Sequence, residues 1–137
     1  MKLAIINGPN LNLLGTREPD VYGNQRFEEY LEDLKQKYPL VEFSYFQSNI
    51  EGELINELQR VGFSFAGIIF NPGGYTHTSV AIGDAIASIK TQVIEVHISN
   101  IYAREDFRKL SLVSAKCKGK ISGLGMKGYE LALEYFL

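Results

Sequence analysis

What most constrains this chain is the alternation, from one end to the other, of short apolar runs with amphipathic stretches. Lys2–Asn7 reads as a buried strand. Phe27, Tyr30, Leu31 and Leu34 then recur at helical spacing and predict a helix over about residues 25–37. Val41–Gln47 alternates Val, Phe and Tyr and reads as strand. Ser48-Asn49-Ile50-Glu51 has the form of a capping box, opening a helix with Leu54, Ile55, Leu58 and Val61 that stops at Gly62. Gly67–Phe70 and Gln92–Ile98 are further apolar strands on either side of an Ala-rich helix, Thr78–Ile89. Cys117–Leu124 reads as a weaker strand. A last helix over Lys127–Phe136 sets Tyr129, Ala132, Leu133 and Phe136 on one face. Strands that take turns with helices require crossover connections, and these build a parallel sheet covered on both faces.

The expected fold is therefore α/β: a flavodoxin-like, doubly wound, five-stranded parallel sheet. A length of 137 residues fits one domain, 1–137, and is enough to bury a real core. The apolar stretches are too short to span a bilayer. With 14 basic and 16 acidic residues and no basic stripe, nucleic acid is not an expected partner. Residues 1–7 run straight into Gly8-Pro9-Asn10 and read as a strand rather than a signal peptide. Cys117 is the only cysteine, so no internal disulfide forms, in keeping with a cytoplasmic location. One Cys and two His make a structural zinc site an unexpected feature.

Ligands of open α/β sheets bind outside the carboxyl ends of the strands. The first strand runs into Asn7-Gly8-Pro9-Asn10, the third into Asn71-Pro72-Gly73-Gly74-Tyr75-Thr76-His77-Thr78-Ser79, and the fourth into His97-Ile98-Ser99-Asn100. Both histidines thus fall at one rim. The paired glycines permit close backbone approach to a ligand, and Thr76, Thr78 and Ser79 stand where a helix begins and offers N–H groups to an anion. Taken alone, the same pattern reads as a turn with an ordinary Ser/Thr cap. It is not a P-loop, because no Gly-Lys-Ser/Thr follows. His97, two residues after Glu95, is evenly balanced between a structural and a catalytic reading, whereas His77 in its Gly-rich loop leans to ligand contact. Arg104 reads as a residue of a solvated turn, and Arg108, one turn later, points either inward or outward.

Residues 8–24 break the rhythm with Gly8, Gly15, Gly23, Pro9 and Pro19, and a connection of this length is expected to act as a lid. It contains Arg17 and Tyr22. A free phenol has a pKa of about 10 and is a poor base at neutral pH, but an adjacent guanidinium favours the phenolate. That pair, once in contact, makes a general base. Asp84 interrupts a small-residue helix face formed by Ala81, Ala85 and Ser88, which is either solvent-exposed or packed on another subunit; the interface reading is favoured. Cys117 reads as a small core residue.

These blocks together resemble the type II 3-dehydroquinate dehydratase family. Asn7–Gly15 is similar to its opening motif, and Arg17, Pro19, Tyr22 and Gly23 to its lid. Asn71–Ser79 with Asp84, then Glu95–Asn100 with Arg104 and Arg108, resemble its third and fourth blocks, and Gly123-Leu124-Gly125, Gly128-Tyr129 and Leu131-Ala132-Leu133 its C-terminal part. The resemblance implies anti-elimination of water from 3-dehydroquinate, giving 3-dehydroshikimate, with no cofactor and no metal. It implies Tyr22 as base, Arg17 as the group that keeps it ionised, and Asn10 as holder of a water at the enolate. It further implies His97 as acid, oriented by Glu95; Asn71, Ile98 and Ser99 at the carboxylate; His77 and Arg108 at ring hydroxyls; and Asp84 at the edge of a neighbouring subunit's site. A dodecamer of trimers is implied as well. Lys109-Leu110 departs from the family, which often has a histidine after the position of Arg108. The rival readings are a flavodoxin-like nucleotide-binding module and a non-catalytic carboxylate-binding protein.

Overall fold

The computed structural model describes residues 1–16, 20 and 24–137. Its sheet is built from β1 (Lys2–Asn7), β2 (Glu42–Gln47), β3 (Gly67–Asn71), β4 (Val93–His97) and β5 (Gly119–Ser122). All neighbours are parallel, in the order β2-β1-β3-β4-β5. Among the described residues, four α-helices connect or follow them: α1 (Phe27–Lys37), α2 (Glu51–Val61), α3 (Val80–Ser88) and α4 (Lys127–Phe136). The expected flavodoxin-like arrangement is the one found.

The period of two along each strand divides the core. Leu3, Ile5, Ile69, Ile94 and Val96 pack with Phe27, Leu31 and Leu34 of α1 and Tyr129, Ala132 and Leu133 of α4. Ala4, Ile6, Ile68, Phe70 and Val93 point to the opposite face, onto Leu54, Leu58 and Val61 of α2 and Ile82, Ala85 and Ile86 of α3. Phe27 stacks on Tyr45 at 4.8 Å and meets Tyr129 edge-on at 4.9 Å. Each such contact adds about 1 kcal/mol beyond area burial.

Two helix starts differ from the expected ones. The Ser48 hydroxyl accepts from the Ile50 N–H at 2.9 Å and donates to Glu53, so the capping box with Glu51 does not form and α2 begins at Glu51. α3 begins at Val80 because the Ser79 hydroxyl takes the Ile82 N–H at 2.9 Å. The small-residue face of α3 is also divided, with Ala85 in the core and Ala81, Asp84 and Ser88 exposed.

β1 connects outward to β2, whereas the chain after β2 crosses back to β3 and continues the other way. The winding thus reverses between β1 and β3, where Asn7 and Asn71 are register partners at the carboxyl ends. A reversal of this kind opens a crevice.

Candidate active site

The crevice begins with a close backbone crossing. The Gly8 N–H donates to the Asn71 carbonyl at 2.7 Å, and a Cβ on Gly8 would stand 2.4 Å from the Pro72 carbonyl oxygen. Only glycine permits that approach. Asn10 follows in the left-handed conformation at φ 70°, its N–H bound to the Asn49 side chain at 2.9 Å. Gly73, at φ +62°, turns the opposite wall. Beneath both, Tyr129 of α4 donates its hydroxyl to Asn7 Oδ1 at 2.8 Å and accepts from Asn71 Nδ2 at 3.0 Å. Asn71 Oδ1 takes the Gly73 N–H at 3.1 Å. One amide N–H of Asn71 remains for a ligand.

The cavity above this floor is lined by Asn10, Asn71, His77, His97, Ile98, Ser99, Arg104 and Arg108, with Pro9, Gly73 and Gly74 among its backbone walls. The two imidazoles lie face to face, ring centroids 6.4 Å apart. His97 is 5% exposed and Glu95 wholly buried; His97 Nε2 hydrogen-bonds Glu95 Oε2. Burial pushes the Glu95 carboxyl up, but the hydrogen bond and charge of His97 and the donation from Ser114 outweigh it and hold the group below its ordinary value. A carboxylate accepts only, so Nε2 of His97 bears the proton and Nδ1 is the nitrogen left for a ligand. His77 Nδ1 donates to the Leu110 carbonyl at 2.7 Å, which leaves Nε2. Its pKa is lowered, first by desolvation and then by His97 and Arg108, against the Leu110 carbonyl and Glu95. The site thus holds one imidazole whose charged form burial disfavours beside one backed by a carboxylate.

The polar rim is completed by the chain after β4. The Ile98 carbonyl accepts the Gly125 N–H at 3.0 Å and the Ser99 carbonyl the Ser122 hydroxyl at 3.2 Å, fixing the turn that presents both residues. Arg108 turns inward, its Nε 2.6 Å from Glu105 and its guanidinium over Phe107.

A family model for Dehydroquinase class II matches residues 1–137. The chain belongs to the class II dehydroquinase family. It is 50% identical over 142 residues to the 3-dehydroquinate dehydratase of Fusobacterium nucleatum, covering 100% of this chain and 97% of the relative. It is 51% identical over 135 residues to that of Campylobacter jejuni, covering 97% and 85%. The crystal structure of type II dehydroquinase from Butyrivibrio crossotus superposes with a TM-score of 0.95 at 45% identity, covering 99% of this chain and 97% of that one.

The dehydroquinase crevice gathers Asn10, Asn71, His77, His97, Ile98, Ser99 and Arg108, with Glu95 directly behind His97. Arg17 and Tyr22 lie outside the described residues. Asp84 sits on the exposed face of α3, away from this cavity. Thr76 is buried and Ser79 caps α3, in keeping with the turn-and-cap reading of this segment, and Thr76, Thr78 and Ser79 are not among the residues that line the cavity. Arg104, expected in a solvated turn, instead lines the cavity with Nη1 3.2 Å from the Ser99 hydroxyl. The sequence carries no signal for this, because the segment folds as two 3₁₀ turns, Ile101–Ala103 and Asp106–Lys109, whose directions no helical periodicity foretells. Helical spacing marks the face of α4 that Tyr129 shares, whereas its hydroxyl's role in the dehydroquinase floor has no local signal.

Proposed function

We propose that the chain is a 3-dehydroquinate dehydratase, taking water from 3-dehydroquinate by anti-elimination through an enolate to give 3-dehydroshikimate. The observation behind this reading is the His97–Glu95 pair at the wall of a cavity rimmed by Asn71, Ile98, Ser99 and Arg108, in a chain of the class II dehydroquinase family.

The chemistry asks for three things. A proton alpha to a ketone must be removed, the resulting enolate stabilised, and hydroxide made a better leaving group by protonation. Tyr22, ionised beside Arg17, takes the alpha proton. Asn10 holds a water at the enolate oxygen. His97, as an imidazolium whose Nε2–H is held by Glu95, gives its Nδ1 proton to the departing hydroxyl. Tyr22 ends protonated and His97 neutral, so one proton taken and one given balance the release of water. Asn71 and the backbone of Ile98 and Ser99 bind the carboxylate, and His77 and Arg108 hold ring hydroxyls. Residues 8–24 close as a lid over this single catalytic domain, 1–137. Asp84 reaches the edge of a neighbouring site in a dodecamer of trimers, and the protein acts in the cytoplasm. Neither metal nor cofactor is needed for any of these steps.

Protein incubated with 3-dehydroquinate and no additive should show ultraviolet absorbance rising as the conjugated enone forms. A flat trace from folded protein removes the assignment. Tyr22→Phe should abolish nearly all turnover while substrate binding persists, and near-normal turnover would exclude this phenol as base.

A further inference from the structure

The segment that follows Arg108 backs both imidazoles, His77 directly and His97 through Glu95. The Leu110 carbonyl takes the His77 Nδ1–H, and four residues later the Ser114 hydroxyl donates to Glu95 Oε1. Between them, Ser111 accepts the N–H groups of Val113 and Ser114 at 3.2 and 3.0 Å and lies 3.4 Å from both Glu95 oxygens. Glu95 is wholly buried, and a buried carboxylate demands donors for both oxygens. His97 supplies one to Oε2 and Ser114 the other to Oε1. The turn Ser114–Lys116 is folded so that this hydroxyl reaches across 19 positions of sequence to the strand.

We propose that Ser114 is a positioning residue for the dehydration: it anchors the far oxygen of Glu95 and so fixes the plane of the carboxylate that holds the His97 ring. The inference rests on His97 serving as the acid. Without the Ser114 hydroxyl only the longer Ser111 contact remains at Oε1, so the carboxylate turns more freely about its last bond and the imidazole follows it. Outer partners of this kind act on rate through orientation, since the acid must point at a departing oxygen whose place is set by other residues. The remaining groups that face Glu95 are Ser111, whose hydroxyl is shared at 3.4 Å between both oxygens, its register partner Lys120 on β5, Cys117 and His77. Ser114 makes the short contact to Oε1, whereas a single Ser111 hydroxyl equally distant from both oxygens holds neither of them closely.

The test compares Ser114→Ala and Ser114→Thr with the parent protein. Steady-state kinetics on 3-dehydroquinate should show kcat lowered about tenfold in the alanine variant with KM little changed, and restored by threonine, which keeps the donor. Carbon-13 spectra of the Glu95 carboxyl should show its titration midpoint raised in Ser114→Ala and returned in Ser114→Thr. Should the alanine chain fail to fold, Ser114→Cys keeps the volume with a weaker donor and is read in the same way. An unchanged kcat, or an unmoved Glu95 midpoint, overturns the proposal. If the parent protein itself is inert on 3-dehydroquinate, the functional reading falls, and the Glu95 midpoint decides by itself whether Ser114 anchors the carboxylate.

Discussion

Single side chains fix most of this site through contacts far apart in sequence. Tyr129 illustrates the point. Its spacing with Ala132, Leu133 and Phe136 marks it as core, and the ring is fully buried as that pattern requires. Nothing in the pattern reveals that its hydroxyl joins Asn7 to Asn71 across separations of 122 and 58 positions. Tyr129→Phe removes one group and leaves two buried amides short of a partner, which costs about 1–3 kcal/mol. Urea unfolding should report that loss, and KM for 3-dehydroquinate should rise as Asn71 loosens. Legibility at this scale followed chemistry rather than position. Asn71 and His97 stand out as polar ends of apolar runs, Glu95 as a charge within one, and His77 by its Gly-rich loop. Arg104 does not, because its direction is set by Ser99 and by a turn without periodicity. The departure at Lys109-Leu110 leaves His77 supported, since the contact is with a backbone carbonyl that any residue supplies.

At the scale of elements the sequence was most transparent where burial is two-sided. β1, β3 and β4 are buried along almost their whole length, and their unbroken apolar runs located them to within one or two residues. β5 is only partly buried, and its expected span over residues 117–124 shrank to 119–122. Helix starts were harder to read, because a serine near a helix has several N–H groups within reach. Ser48 chose Ile50, whereas Ser79 became a true cap. Ser79→Ala should therefore lower stability by about 1 kcal/mol, visible as a reduced melting temperature. Turnover at temperatures where the protein stays folded should be unchanged, because Ser79 does not line the cavity.

For the molecule as a whole, burial of aromatic hydroxyls ties stability to alkaline pH. Desolvation raises Tyr30 and Tyr45 to about 12, and it drives Tyr129 higher still. The folded state then keeps protons that the unfolded chain releases near pH 10, so these phenols contribute fully below pH 10 and their contribution is lost as pH rises toward 12. Urea midpoints measured from pH 8 to 11 should stay level and then fall above pH 10, and a midpoint that climbs there would contradict the burial of these rings. At the acid end, Lys127, Lys37 and Tyr38 hold the Glu130 carboxyl down at about 2, so its share is present above the ordinary carboxylate range and is lost as pH falls toward 2. The pin between Asn7 and Asn71 has a consequence in time. It comes from α4, later in the chain than every residue that lines the cavity. On a ribosome, both imidazoles clear the exit tunnel before Tyr129 does, so the crevice of a nascent chain stays unfinished until the last helix emerges and docks.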